Sequence, residues 1–395
     1  MSNLPRFIQI HTLHSYPAAL LNRDDAGLAK RLPYGNAIRT RISSQCQKRH
    51  WRMADDAFAL SSLGVPMAIR SRELPRQMRE MLIERGISES LAQAAIEGMR
   101  NGGLLDKAGK NPQGEDALKT GQAVLLGKAE RDYLVEKCSA LAKEHTDEKS
   151  LKEAVAIWLK DKDEKKNIEA MKLGCGLESA LFGRMVTSDV LSNRDASVYV
   201  AHAFTVHEAQ VENDYFTVVD DLLQESGEQG SAGIFDTELA SGLYYGYVVI
   251  DVPQLVANLE GVGINDCFKV GTEQRELAAN VAHHLLHLIA TVSPGAKRGS
   301  TAPFEWAKLM LVEAGDWQPR SLAGAFQNAL EMRSGNIIER AVGRLATEIE
   351  NLDNAYGAPT SRRFLSVLDA KIPGAERMPL GSLAKWTQDL IVQGG

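Results

Sequence analysis

The beginning of the chain predicts a β-strand followed by an amphipathic helix. Residues 6–14 read RFIQIHTLH, in which Ile8, Ile10 and Thr12 alternate with the other side chains, as in a strand with two distinct faces. A loop rich in Asn, Asp, Gly and Pro follows up to residue 40. Ser43 and Ser44 then occupy the N-cap region of a predicted helix of about 18 residues. Its apolar stripe comprises Cys46, His50, Met53, Ala57 and Phe58.

The rest of the pattern predicts an α+β fold of the RNA-recognition (ferredoxin-like) type. Residues 64–173 are helical in periodicity and highly charged, which indicates an inserted helical block. Strand-like alternation returns at residues 196–207 and 243–251. A helix at 272–291 and a strand within WAKLMLVEAG complete the order β-α-β-β-α-β once the insertions are set aside.

Composition places the chain among ordinary globular proteins. It has 395 residues, 44% hydrophobic and 24% charged, which indicates two or three domains. A membrane-spanning run and a secretory signal pattern are both missing from the sequence, so a cytoplasmic protein without membrane contact is expected. The four cysteines are scattered and are predicted to be reduced thiols.

The charges are distributed unevenly, and this changes the expected partner. The net charge of −6 argues against a polyanion, yet residues 1–52 carry nine Lys or Arg and two acids. Residues 195–268 carry thirteen acids and no Lys or Arg. Such a basic segment beside an acidic one favours binding of a polyanion at the basic segment.

The strongest local signal is RTRISSQCQKRHWR at residues 39–52. Ser43 and Ser44 would place hydroxyl and backbone N–H groups at a helix N-terminus, where the helix dipole favours an anion. Lys and Arg neutralise phosphates, and neutral donors fix the register of a nucleic-acid backbone. A solvated helix face is the alternative interpretation. The residues at helical spacing on the polar face are Gln45, Lys48, Arg49 and Arg52.

Other candidate sites are weaker. Lys297 and Arg298 form a second cationic site in the loop SPGAKRGSTAP, which alone is typical of a surface turn. His283 and His287 have a zinc-compatible spacing but lack the Glu of H-E-x-x-H and an evident third ligand. The missing ligands argue against a metal site. Glycine loops that bind phosphates or dinucleotides do not fit the sequence either, so no nucleotide cofactor is predicted.

A set of motifs in one order resembles a known family. These motifs are LNRDD at residues 21–25, RISSQCQKR at 41–49, LFGRM at 181–185, VAHAFTVHE and DYFTVVDD within 200–221, GLYYGYVVID from 242 and the Pro-Gly-Lys loop at 293. The sequence resembles the backbone subunit of the CRISPR surveillance complex Cascade, the CasC type of type I-E systems in the seventh Cas protein family. The resemblance runs from near residue 1 to about residue 325.

The resemblance implies a hand-like molecule. It implies palm segments at 1–63, 173–204 and 242–395, helical fingers at 64–172 and a β-hairpin thumb at 205–241. Copies of the subunit would stack along one guide crRNA, kink it at every sixth nucleotide and support its pairing with target DNA. Further partners would be other Cascade subunits and a recruited nuclease-helicase, so the subunit itself would have no catalytic residues. The implied RNA-binding residues are Arg23, Lys30, Arg39, Arg41, Ser43, Ser44, Gln45, Lys48, Arg49, Arg52, Met185, Lys297 and Arg298.

Two alternatives stay open at this point. One is an endoribonuclease of the RNA-recognition fold that processes precursor crRNA, with His11, His14 or His202 as general acid or base. The other is a small-molecule enzyme or an oligomer that needs no RNA.

The sequence departs from the family pattern at one point before the RISSQ motif. Gly35-Asn36-Ala37-Ile38 replaces a Gly-Gly-Lys-Arg run, so Arg39 is the cation that is left there for a phosphate contact.

Overall fold

The computed structural model describes residues 4–105, 118–170, 175–184, 193–219, 231–358 and 360–393. Its strands are β1 (Phe7–Ala19), β2 (Arg31–Tyr34), β3 (Ala37–Ile42), β4 (Ala68–Ser71), β5 (Val124–Gly127), β6 (Val198–Val200), β7 (Ala203–Thr205), β8 (Gln210–Val219), β9 (Ser231–Asp251), β10 (Leu309–Gly315), β11 (Ser361–Ser366) and β12 (Ala375–Arg377). Its helices are α1 (Ser44–Arg52), α2 (Leu74–Glu84), α3 (Glu89–Asn101), α4 (Lys128–Glu144), α5 (Glu148–Lys160), α6 (Lys162–Ala170), α7 (Leu177–Phe182), α8 (Val252–Glu260), α9 (Glu276–Thr291), α10 (Arg298–Thr301), α11 (Ile337–Tyr356) and α12 (Leu380–Val392). In this part of the chain, no helix is both long and apolar enough to cross a bilayer.

The chain divides into two compact units. The first contains Met1–Leu60, Tyr199–Val252 and Ala279–Gly395, and the second contains Ser61–Val198 and Pro253–Ala278. The palm, finger and thumb boundaries given above stay predictions.

A large, mainly antiparallel sheet organises the first unit. Along its main path the strands follow the order β12, β11, β10, β1, β9, β7, β3, β2. The four central strands β10, β1, β9 and β7 pair antiparallel, and α1 and α9 lie between them in the chain as the RNA-recognition order requires. The predicted α+β class and its element order are therefore confirmed.

Each face of the central strands is covered by helices. Gln47 and Trp51 of α1 and Ile289 of α9 line one small cavity together with Thr12 and Val248 of the sheet. The opposite face packs against α11, whose buried positions include Ala341, Leu345 and Ile349. They share a core with sheet residues such as Leu13, Leu311 and Phe364. Successive side chains of β1 thus point alternately into two cores, as expected of a sheet that is buried on both faces.

The second unit is mainly helical, and its core consists of apolar residues from α2 to α6 and β5. The two-stranded sheet of β4 and β5 is an addition to the helical block that the sequence predicted. Within the LFGRM motif, Leu181 is fully buried, and the Arg184 guanidinium donates to both Glu130 carboxylate oxygens at 2.7 and 2.9 Å. Both motif residues therefore belong to the interior of this unit.

The helix predicted after Ser43 is shorter than expected. It ends at Arg52, with Met53 as its C-cap, and Asp56 Oδ1 then accepts the Phe58 backbone N–H at 2.9 Å. Asp side chains stabilise such turns by binding backbone groups nearby, in competition with the helix. The predicted apolar stripe is therefore wrong beyond His50, and the buried residues of α1 are Gln47 and Trp51.

The thumb prediction coincides with a long hairpin. Strand β8 pairs antiparallel with the first half of β9, from Gln210 opposite Ser241 to Val219 opposite Ser231. Residues 220–230 lie outside the described residues. The second half of β9 continues into the central sheet beside β1, so the hairpin extends directly from a sheet strand.

Candidate nucleic-acid interface

The N-terminus of α1 is held by two side chains. Ser43 is the N-cap, and its hydroxyl accepts the Cys46 backbone N–H at 3.3 Å. Its own backbone N–H donates to Asn22 Oδ1 at 2.9 Å. The first turn of α1 contains no acidic residue, so the positive end of the helix dipole is not neutralised from within the helix.

The polar face of α1 turns outward as the sequence predicted. Gln45 and Arg49 are exposed, whereas Ser44, Lys48 and Arg52 are half-buried. Burial lowers the pKa of Lys48 from its ordinary value. On the inward side, Gln47 Nε2 donates to the Ala201 carbonyl at 2.9 Å and fixes the helix to the loop between β6 and β7.

The loop before β2 brings further cations to this end of the helix. Arg23 is exposed and forms an isolated backbone bridge with Ala29, and the Lys30 N–H donates to the Asn22 carbonyl at 3.0 Å. The Arg41 N–H in turn donates to the Lys30 carbonyl at 2.7 Å. Asn22 therefore connects the loop to the N-cap of α1.

Arg41 is oriented by two contacts. Its Nε donates to the Arg31 carbonyl at 3.2 Å, and its Nη1 lies 3.0 Å from His202 Nδ1. The pKa of His202 is lowered by partial burial, then by the charges of Arg41 and Lys30. A neutral imidazole can accept from the guanidinium, so His202 positions Arg41 without adding charge.

Arg39 does not belong to this surface. Its side chain is 0% exposed and donates to the carbonyls of Tyr34, Thr205 and Phe326, the last at 2.9 Å. A buried guanidinium that donates to these carbonyls, and also to that of Gln327, cannot reach a phosphate. We therefore remove Arg39 from the predicted contact set.

The residues that replace the Gly-Gly-Lys-Arg run form the turn between β2 and β3. Gly35 has φ +60°, and a Cβ there would lie 1.6 Å from the Gln327 carbonyl oxygen. Only glycine fits this close approach of two backbones.

The Pro-Gly-Lys loop lies beside α1. The Ala296 N–H donates to the Leu20 carbonyl at 2.8 Å, and the Gly295 N–H points at His50 Nε2 at 3.4 Å. Burial lowers the pKa of His50, and the charges of Arg298 and Arg49 lower it further. Arg298 is exposed, so it extends the cationic surface of α1.

Lys297 contacts both strands of the hairpin, partway along its length. Its ammonium group hydrogen-bonds the Thr237 hydroxyl and lies 5.4 Å from the centre of the Phe216 ring. A neighbouring contact joins Arg31 to the buried Glu238, whose Oε1 also accepts the Ala29 N–H at 2.8 Å. Two cations thus connect the acidic hairpin to the basic loops.

The histidines proposed for an endoribonuclease are not equivalent. His11 is fully buried between the Tyr245 hydroxyl at 2.9 Å and Glu313 at 3.1 Å, so it cannot reach an RNA strand. The His14 imidazole lies 3.4 Å from the Ala290 carbonyl, and burial lowers its pKa to about 4. His202 alone of the three is exposed.

The two histidines at zinc-compatible spacing, His283 and His287, pack against the Phe58 ring. His287 stacks on Phe58 at 3.5 Å between ring centroids, and the described residues contain no group of three or more potential metal ligands. Met185, one of the RNA-binding residues that the resemblance implies, lies outside the described residues.

Sequence reasoning did not assign the positioning roles of Asn22, Gln47 and His202. All three lie within the motifs LNRDD, RISSQCQKR and VAHAFTVHE, which were the available signal. Their individual roles could not be predicted, because their partners Ser43, Ala201 and Arg41 are distant in the chain.

Comparison with known proteins identifies the family. Residues 8–390 match the CT1975-like protein family, Cas_CT1975. The chain belongs to this family. It is similar to a solved chain described as "CRISPR RNA-guided surveillance complex, pre-nicking", with a TM-score of 0.77, 26% identity and coverage of 97% of this chain and 99% of the other. A second chain, described as "CRISPR RNA-guided surveillance complex", has a TM-score of 0.63 and 24% identity over 96% and 99% of the two chains, and shares the fold. Comparison with curated proteins gave no match.

Proposed function

We propose that this member of the CT1975-like family is a multi-copy backbone subunit of a type I-E Cascade surveillance complex that binds guide crRNA through its phosphates. The observation that carries the proposal is the cationic surface along α1. Arg23, Lys30 and Arg41 lie near the N-terminus of this helix, and Arg49 and Arg298 lie beside its last turn, so three separate segments contribute cations. The similarity to chains of CRISPR RNA-guided surveillance complexes supports the same role.

The surface suits recognition of a strand irrespective of its sequence. Guanidinium and ammonium groups neutralise phosphates, and the Ser44 hydroxyl, the Gln45 amide and the N-terminal N–H groups of α1 supply neutral donors. In RNA-guided complexes base pairing reads the sequence, so the protein needs only to hold the backbone and the shape of the guide.

The hairpin supplies the proposed kink at every sixth nucleotide. Its described part exposes Val211, Tyr215 and Phe216 on an otherwise acidic element. Acidic groups repel phosphates, whereas apolar side chains can separate stacked bases. Met185 is proposed as a second wedge. Regular kinks would leave the stretches between them free to pair with target DNA.

The remaining partners follow from this role. Further copies of the chain would coat the guide beside other Cascade subunits, in the cytoplasm and without membrane contact. Cleavage would fall to a recruited nuclease-helicase, and we assign this subunit no catalytic residue, metal or cofactor.

The direct test is charge reversal on the surface. The double variant Lys48→Glu/Arg49→Glu should bind single-stranded RNA at least about tenfold more weakly, since one charge-assisted hydrogen bond contributes roughly 1.5–3 kcal/mol. The log–log salt slope should decrease in magnitude by about 0.7 for each phosphate that the variant no longer neutralises. The matched control Arg333→Glu changes an exposed cation in the segment before α11 and should leave both quantities unchanged.

Equal affinity of the double variant and the wild-type protein would contradict the proposal. Cleavage of precursor RNA without metal, abolished by His202→Ala, would favour the endoribonuclease instead. Both readouts come from the same incubation, so one experiment separates the two functions.

A further inference from the structure

A cavity of about 460 Å³ opens beside the C-terminal half of α1, next to the proposed phosphate contacts. Arg49 and Arg298 line it from α1 and from α10. Its size falls within the range of small-molecule sites, roughly 300–1,000 Å³. Phosphate binding on an open helix face does not require such a cavity. The residues that line the cavity besides Arg49 and Arg298 therefore indicate which part of a ligand, other than a phosphate, it can bind.

Two exposed apolar side chains line the same cavity. Met53 is 61% exposed and Phe304 is 68% exposed. Exposed large apolar groups that share a concave, cation-bearing site indicate a ligand with an apolar face. Aromatic rings beside guanidinium groups are the combination that single-stranded nucleic-acid sites use, with bases stacked and phosphates neutralised.

The walls of the cavity are fixed by hydrogen bonds. The Ser293 hydroxyl donates to the Glu305 carbonyl at 3.0 Å and accepts the Glu305 N–H at 2.9 Å, which fixes the segment that carries Phe304. On the other side, His50 Nδ1 lies 2.8 Å from the Cys46 carbonyl. A ligand would therefore meet a largely preformed site, which reduces the ordering cost of binding.

Acidic groups complete the lining. Asp55 and Asp56 lie at the turn where α1 ends, and both line the cavity. One Asp56 oxygen accepts the Phe58 N–H, so Asp55 is the more suitable acceptor for a ligand. Carboxylates disfavour a second phosphate but accept hydrogen bonds from exocyclic amino groups of bases.

We propose that this cavity binds one nucleotide, with its base against Phe304 and Met53, its phosphate at Arg49 and Arg298, and its base amino group near Asp55. Adenine, guanine and cytosine carry such an amino group, whereas uracil does not. The nucleotide could belong to the bound RNA strand, in which case the site rests on the proposed function, or it could be free. In either case the site contacts a base, which the phosphate surface alone does not.

Titration of the full-length protein with AMP and with ribose 5-phosphate tests the site. Stacking of a base on an aromatic side chain contributes about 1–3 kcal/mol, so AMP should bind roughly 5- to 150-fold more tightly than ribose 5-phosphate. Phe304→Ala should remove most of this difference. Trp306→Ala is the matched control, because Trp306 is 71% exposed in the same segment but does not line the cavity.

Asp55→Asn tests the base preference. It should reduce the preference for AMP over UMP and leave the affinity for ribose 5-phosphate unchanged or slightly stronger.

A second arm identifies the source of the nucleotide. It compares an adenine homopolymer RNA with an abasic ribose-phosphate polymer of equal length. If Phe304→Ala weakens binding of the homopolymer but not of the abasic polymer, the site holds a nucleotide of the RNA strand. If Phe304→Ala weakens binding of AMP alone, the site holds a free nucleotide.

Equal binding of AMP and ribose 5-phosphate, or equal effects of Phe304→Ala and Trp306→Ala in both arms, would overturn the site. RNA binding that still depends on Lys48 and Arg49 would then leave the proposed function intact. Conversely, if AMP binding depended on Phe304 but the protein did not bind RNA, the nucleotide site would be supported and the proposed function would be contradicted.

Discussion

Glu313 is the residue on which the buried charges of the central sheet converge. It is fully buried and accepts from Arg362 Nε at 2.6 Å and from Arg320 at 2.7 and 3.0 Å. Burial alone would raise the pKa of Glu313, but the contacts with His11 and Arg320 hold it well below its usual range. Arg362 in turn pairs with Asp353 of α11, so the network connects the sheet to the helix that covers it.

Removing the centre of this network should be costly. Glu313→Ala leaves the buried Arg362 guanidinium without the fully buried one of its two carboxylate partners. Loss of one member of a buried pair costs about 3–5 kcal/mol. Glu376→Ala is the control, because its pair with Arg363 at 3.0 Å is exposed and should contribute at most about 1 kcal/mol. Urea unfolding of both variants measures the difference; equal losses would show that the network does not stabilise the sheet.

His287 makes stability depend on pH. Burial, with the neighbouring His283 and His284 as smaller contributors, lowers the pKa of His287 from 6.5 to about 4. Below pH 6.5 the unfolded chain therefore takes up a proton that the folded protein does not, so this residue reduces stability as the pH falls from 6.5 towards 4.

The variant His287→Gln should show a shallower loss of stability over that interval. The free energy of unfolding in urea at about pH 7, 6, 5 and 4 tests this, with the variant compared at each pH with the wild-type protein. Identical pH profiles would contradict the assignment. His14, whose pKa is also lowered to about 4, accounts for part of the loss that remains.

Local chemistry determined which single residues could be predicted. Ser43 and Ser44 were predicted as the N-cap region, and Ser43 is the N-cap, because a capping residue contacts only the next helical turn. The role of Arg39 could not be predicted, since its acceptors at Thr205 and Phe326 come from distant parts of the chain. The sequence indicates the charge of a residue, but tertiary contacts determine whether that charge reaches the surface.

Helix α1 is the element on which the proposed surface depends. Its N-cap fixes where its N–H groups point, and Gln47 fixes the whole helix to Ala201. The sequence predicted its start and its polar face correctly. Its end was not predicted, because the turn formed by Asp56 competes with continuation of an otherwise helical pattern.

Substitutions at the N-cap separate helix stability from phosphate binding. Ser43→Ala should lower the free energy of unfolding by about 1 kcal/mol, and Ser43→Asn should retain it. Ser43→Asp should also retain stability, but its charge at the helix end proposed to bind phosphate should weaken RNA binding.

Parallel measurement of urea unfolding and RNA affinity tests the separation at the N-cap. If Ser43→Asp bound RNA as tightly as Ser43→Asn, the N-terminus of α1 would not contact phosphate.

At the scale of the whole molecule, the order of elements was more predictable than their lengths. The β-α-β-β-α-β order could be recognised despite a helical insertion and a long hairpin, since each central strand and helix has its own hydrophobic periodicity in the sequence. The outer strands β2, β3, β11 and β12 were not predicted. Their short segments depend on pairing at the edges of the sheet, which a local pattern does not encode.

Assembly along RNA is the property that no single residue reveals. If each copy grips the backbone and its hairpin displaces one base at a fixed interval, a coated strand should show regular accessibility. Coating should also be cooperative and strongly salt-dependent, as for other proteins that coat single strands.

Nuclease footprinting of RNA that co-purifies with the protein at low ionic strength tests the central claim most directly. The account predicts protected RNA with cuts or reactive positions repeating at every sixth nucleotide, and loss of the RNA from the Lys48→Glu/Arg49→Glu variant. Protein that purifies without RNA and shows no affinity for single-stranded RNA at low salt would contradict it.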